Sequence, residues 1–152
     1  MTNTLRRAIT ASLFLCCLTL TAQEMGSWRA AGSSARSVTG DVILSDEKLT
    51  INFTNFTMVQ VRALSKAEST AFFNADSNAA GSGSLYRMDI SSAKKFLHRN
   101  TLCGAENTEW MATYVSGRSL QLAFFSGQTP PVFTTDALSA SPDLCGTYAY
   151  VK

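Results

Sequence analysis

His98 is the only histidine in the 152-residue chain. A nucleophilic triad built on Ser or Cys needs an imidazole as its base, so any such system must use this residue. Cys103 lies five positions on, which makes a Cys-His pair conceivable. A sulfur held in a disulfide is no nucleophile, because only the thiolate attacks. The plainer reading places His98 at the exposed end of a short helix, where an imidazole complements the helix dipole.

Paired carboxylates could do glycosidase-type work. Asp41, Asp46, Glu47, Glu106 and Glu109 are the candidates, and all fall at expected strand ends or turns, where acids are usually just solvated. Asn74, Asp76 and Asn78 match the first three ligand places of a calcium loop. The sixth place is Ala79 instead of Gly and the twelfth is Leu85 instead of Glu, so a solvated loop is expected there. Asn52-Phe-Thr and Asn55-Phe-Thr are adjacent glycosylation sequons, read more simply as the Thr/Asn face of a strand. The aromatic residues are the remaining lead. Trp28, Trp110, Tyr114, Tyr148 and Tyr150 are the residues expected to line a mouth that takes an apolar ligand, if they do not simply fill the core. The residues suggest no metal and no cofactor.

The compartment follows from the first two dozen residues. Arg6 and Arg7 precede an apolar run from Ala8 to Ala22, a pattern that reads as a secretory signal over residues 1–22. The run is 15 residues long, short of the roughly 20 needed to span a bilayer. No retained membrane span is expected, and cleavage is expected after Thr21, Ala22 or Gln23. Without Arg6 and Arg7, the 13 bases fall to 11, equal to the 11 acids. No basic patch is then left for nucleic acid. Cys16 and Cys17 leave with the signal. Cys103 and Cys145 remain as an isolated pair, expected to be joined in a periplasmic or extracellular setting.

The elements that would position these residues are mostly strands. Residues 23–37 read as a flexible lead-in anchored by Trp28, followed by one β-rich domain over 38–152. Val38–Ser45, a turn at Asp46–Lys48, and the alternation Leu49/Ile51/Phe53 form a hairpin. Phe56–Leu64 follows, with a bulge expected between Met58 and Val59. Ser65-Lys-Ala-Glu68 is a capping box that starts a helix to about Phe73. A loop follows, then a strand with Tyr86, Met88 and Ile90 on one face, then a second short helix from Ala93 to His98. Runs on either side of Ser116-Gly117-Arg118 make the clearest hairpin. Cys145–Val151 is the last strand. Phe124 and Phe125 must point to opposite faces of theirs. The expectation is a mainly β fold: an antiparallel meander of about seven strands, closed into a small barrel or a sandwich, with two short helices.

The segments Asn100-Thr-Leu-Cys-Gly104, Trp110-Met-Ala-Thr-Tyr-Val-Ser-Gly117, Leu122-Ala-Phe-Phe-Ser-Gly127 and Leu144-Cys-Gly-Thr-Tyr148 resemble those of small exported bacterial proteins to which no activity is attached. The resemblance spans most of the C-terminal half and implies an exported β-rich domain with a paired Cys. Gly26-Ser-Trp28 also resembles the Gly-x-Trp that opens a lipocalin barrel, while Thr135-Asp136 lies in the wrong surroundings for the later part of that pattern. Three functions are consistent with these readings. The first is a non-catalytic binding or inhibitory module of the cell envelope, with an envelope protein as partner. The second is a lipocalin-like binder of a small apolar ligand. The third is a hydrolase with an unidentified acid pair.

Overall fold

A computed structural model describes residues 24–152, leaving the signal-like segment and its cleavage edge outside the described residues. Eight antiparallel strands close into one barrel, each hydrogen-bonded to its sequence neighbours and the last to the first. They are β1 (Gly26–Ala30), β2 (Val42–Ser45), β3 (Lys48–Ile51), β4 (Thr54–Leu64), β5 (Ser82–Ile90), β6 (Thr108–Ser116), β7 (Ser119–Phe125) and β8 (Leu144–Val151). Seven of these match the expected strands. The eighth is β1, inside the stretch read as a flexible lead-in. That reading is corrected by two interactions distant in the chain. Trp28 pairs with Val42, and Arg29 and Ala30 pair with Val151 and Tyr150. A short, polar run becomes a strand because closing the barrel requires one there.

Alternation sorts the side chains into two layers. Inside lie Trp28, Val42, Leu44, Leu49, Ile51, Met58, Tyr86, Met88, Ile90, Met111, Leu122, Phe124, Tyr148 and Tyr150. Outside β5, β6 and β7 lie Leu85, Trp110, Tyr114 and Phe125, covered by α1 (Lys66–Phe73) and the 126–143 connection. Phe124 and Phe125 do face opposite ways. Phe124 meets Tyr148 inside the barrel, and Phe125 meets Phe72 and Phe133 outside it.

The capping box forms as the sequence predicts. Ser65 Oγ accepts from Glu68 N–H, and the Glu68 carboxylate accepts from Ser65 N–H. The helix ends at Asn74 in the left-handed region. Gly83 lets the helix and β6 both sit close, since a Cβ there would lie 3.2 Å from Ser69 Oγ of the helix and 2.8 Å from the Thr113 carbonyl. The bulge in β4 falls at Gln60/Arg62, later than expected. It swings Leu64 from the barrel's interior series to the outer cluster beneath α1. The second helix expected over Ala93–His98 does not form. One tight turn at Leu97–Arg99 stands there, because Phe96 and Leu102 are pulled into the barrel mouth from both sides of it. Instead α2 (Thr135–Ser139) occurs within the 126–143 connection. Among the described residues no helix is long and apolar enough to cross a membrane.

The up-and-down order gives the barrel two rims. The first carries Glu24, the turns after β2 and β6, helix α1 and the Lys152 end. The second carries the connections after β1, β3, β5 and β7. Cys103 and Cys145 are joined, tying the β5–β6 connection to the start of β8 at the second rim.

Candidate functional site

Two turns at the second rim place bulky residues where backbone sterics favour glycine. Ile51 and Thr54 are register partners, so Asn52 and Phe53 form a two-residue hairpin loop. Both have positive φ, 47° and 61°, the geometry of a type I′ turn whose second position ordinarily takes Gly. The Phe53 side chain is 99% exposed. At Leu97–Asn100 the Asn100 N–H donates to the Leu97 carbonyl at 3.0 Å, and the central His98 and Arg99 have φ of 53° and 64°. Asn52 tolerates this conformation, whereas at a bulky residue such as Phe53 or Arg99 it costs about 1–2 kcal/mol. His98 is therefore exposed at a turn tip and not at a helix end.

The two turns are tied together. Lys94 Nζ donates to Thr54 Oγ1 at 3.0 Å, and the Phe56 and Phe96 rings lie 5.9 Å apart. Asn100 Nδ2 donates to the Ser37 carbonyl, fastening the second turn to the π-helical turn Ala35–Thr39. Between them opens a cleft of about 610 Å³ on the outer wall of β8, β1, β2 and β3. Its floor takes the outward positions Ser27, Arg29, Ile43, Thr50 and Val151, and Phe53 and Leu97 stand at its second-rim edge. The lining is mostly apolar. Asp41, also at the cleft, is engaged, its Oδ1 accepting from Ala30 N–H at 2.9 Å. At the opposite edge Lys152 Nζ lies 4.3 Å from the Trp28 ring and donates to the Met25 carbonyl.

A second polar arrangement lies inside the first rim. Glu24 is 2% exposed. Its carboxylate accepts from Tyr86 Oη and from Thr113 Oγ1, each at 2.7 Å, while its backbone carbonyl accepts from Trp28 Nε1 at 2.8 Å. Burial, then the neighbouring Glu24 charge, pushes the Tyr86 phenol up. Burial likewise raises Tyr148 and Tyr150, the latter sharing a 2.6 Å hydrogen bond with Thr39. The Glu24 network joins β1, β5 and β6, and no sequence pattern points to it.

The five aromatic candidates do not converge. Trp28, Tyr148 and Tyr150 lie inside the barrel, and only Trp28 also borders the cleft. Trp110 and Tyr114 lie in the outer cluster, where Trp110 carries the Arg87 guanidinium on its face at 4.6 Å. The acids are scattered too. Asp46 and Glu47 sit at the first rim and Asp41 at the second. Glu106 and Glu109 share a polar depression of about 330 Å³, and Glu109 is ion-paired with Arg87. Among the described residues no group of three or more His, Cys, Asp or Glu is placed to hold a metal. Of the residues at the cleft, Phe53 reads from the sequence as one member of an alternating strand and one of the many aromatics in or beside strands, with nothing to single it out. Asn-Phe is not a turn signal, so its left-handed exposure was unreadable there. No protein-family model, no curated protein and no solved structure matches the chain.

Proposed function

We propose that the protein is an exported, non-catalytic binding module that meets its partner through the second rim and the adjoining cleft. The observation that carries this reading is Phe53, a wholly exposed aromatic held in a left-handed turn beside an apolar cleft. Stability alone favours Gly at that position, and strain kept at an exposed tip marks recognition. The His98–Arg99 turn repeats the pattern on the same rim. The signal-like N-terminus and the Cys103–Cys145 bridge support a periplasmic or extracellular setting. A lipocalin-like site inside the barrel is less well supported, because large side chains such as Trp28, Tyr86, Phe124 and Tyr150 fill that space.

The test is Phe53→Gly in the mature protein. Relief of strain, offset by the greater freedom of Gly in the unfolded chain, should leave stability unchanged or raise it by about 0.5–1 kcal/mol. Capture of components from envelope extract should be lost. Unchanged capture would remove the second rim as the recognition surface.

A further inference from the structure

We infer that the outer-wall cleft binds an amphipathic organic anion, an extended apolar chain ending in one carboxylate, with the Arg29 guanidinium as its charge partner. This rests on the proposed reading of the same surface and names what the cleft takes.

The cleft volume, about 610 Å³, falls in the range of roughly 300–1,000 Å³ usual for small-molecule sites. Its outward side chains Ile43 and Val151 present hydrocarbon, with Ile43 48% exposed and Phe53 wholly so. Exposed apolar groups gathered along one concavity mark a place where something apolar is to be covered. The cleft crosses from β8 through β1 and β2 to β3. At about 4.8 Å between neighbouring strands, three spacings give a length of about 14 Å. That length suits an extended chain better than a compact ring.

The charges select the head group. Three ionisable side chains line the cleft: Arg29, Lys152 and Asp41. Asp41 is held by the Ala30 amide, and Lys152 is engaged with the Met25 carbonyl and the Trp28 ring. Arg29 makes no hydrogen bond or ion pair among the described residues, although its strand position fixes it at the cleft floor beside Val151. A guanidinium is a planar fork of donors suited to a carboxylate. An apolar trough with one uncommitted Arg and a net positive lining therefore complements a single-headed anion, and repels an amphiphile of the opposite sign.

The test is a titration of the mature protein with monomeric dodecanoate, followed by calorimetry and by backbone amide NMR shifts. Dodecyltrimethylammonium, with the same chain and the opposite charge, is titrated alongside. One dodecanoate should bind, with shifts confined to β1–β3, Val151 and the Asn52–Phe53 turn. The cation should bind at least tenfold more weakly. Arg29→Gln should weaken dodecanoate at least tenfold with an unchanged melting curve, whereas Arg29→Lys should retain part of the affinity. Equal binding of both amphiphiles, no loss in Arg29→Gln, or no dodecanoate binding would each overturn the inference. If dodecanoate fails while Phe53→Gly still abolishes envelope capture, only this inference falls. If capture survives Phe53→Gly, the reading beneath it falls as well.

Discussion

Truncating Glu24 to Ala should be among the most damaging single changes to this fold. The side chain is 2% exposed, and its two oxygens each accept one hydroxyl at 2.7 Å. Hydrogen bonds to a charged group contribute about 1.5–3 kcal/mol each, which sets a gross loss of about 3–6 kcal/mol. Two effects reduce it. Removing a buried carboxylate also removes its desolvation cost. Thr113 Oγ1 retains a second acceptor, the Ser84 carbonyl at 3.4 Å. The expected net cost is about 2–4 kcal/mol. For a domain of this size that lowers Tm by about 8–15 °C, at roughly 4 °C per kcal/mol. Glu24→Gln keeps the shape and one acceptor oxygen, and should cost about half as much. The assay is urea unfolding of the mature protein, because the slope of the transition shows whether the native state stays compact. A double-mutant cycle with Tyr86→Phe should give a coupling of about 1–3 kcal/mol. A Glu24→Ala change below about 0.5 kcal/mol, the level of an ordinary surface substitution, would refute the reasoning. The carboxylate would then be no part of what holds the first rim together.

Reducing the Cys103–Cys145 bridge frees a loop of about 43 residues, for which the chain-entropy model gives up to about 4 kcal/mol. Cys103→Ser with Cys145→Ser should lower Tm by about 10–15 °C, and thiol labelling of the unfolded, unreduced mature protein should find no free thiol. Arg62, by its hydrogen bonds to Glu68, holds that carboxyl down at about 2 against an ordinary 4.5. Its stabilising effect is therefore complete above pH 4.5 and is lost as pH falls from there toward 2. With the Arg62 side chain 43% exposed, only about 0.5–1 kcal/mol is expected. The difference in stability between wild type and Arg62→Gln should shrink over that pH window and stay flat above it. Intact-mass measurement of exported protein should show loss of roughly the first 21–23 residues; a full-length mass would overturn the signal reading.

What the sequence determined by itself was local. The capping box at Ser65–Glu68, the hairpin across Ser116-Gly117-Arg118 and the shared face of Tyr86, Met88 and Ile90 all depend on residues within one turn or one strand. Their chemistry is readable because period and turn propensity act over a few positions. The mainly β class and the Cys103–Cys145 pairing followed from strand count and from an even number of cysteines. What only the tertiary structure decided depends on partners far along the chain. β1 is a strand because β2 and β8 flank it, the latter from the other end of the molecule. Leu97–Arg99 is a strained turn because Phe96 and Leu102 are both drawn into the barrel mouth, against the local preference for helix. The cleft takes side chains from β1, β2, β3 and β8 and from the Leu97 turn, segments spread over the whole described chain. Glu24 is buried because hydroxyls 62 and 89 residues away converge on it. Barrel closure sets these contacts, and for the β1–β8 pairing and the Glu24 hydroxyls no short window of sequence contains both halves.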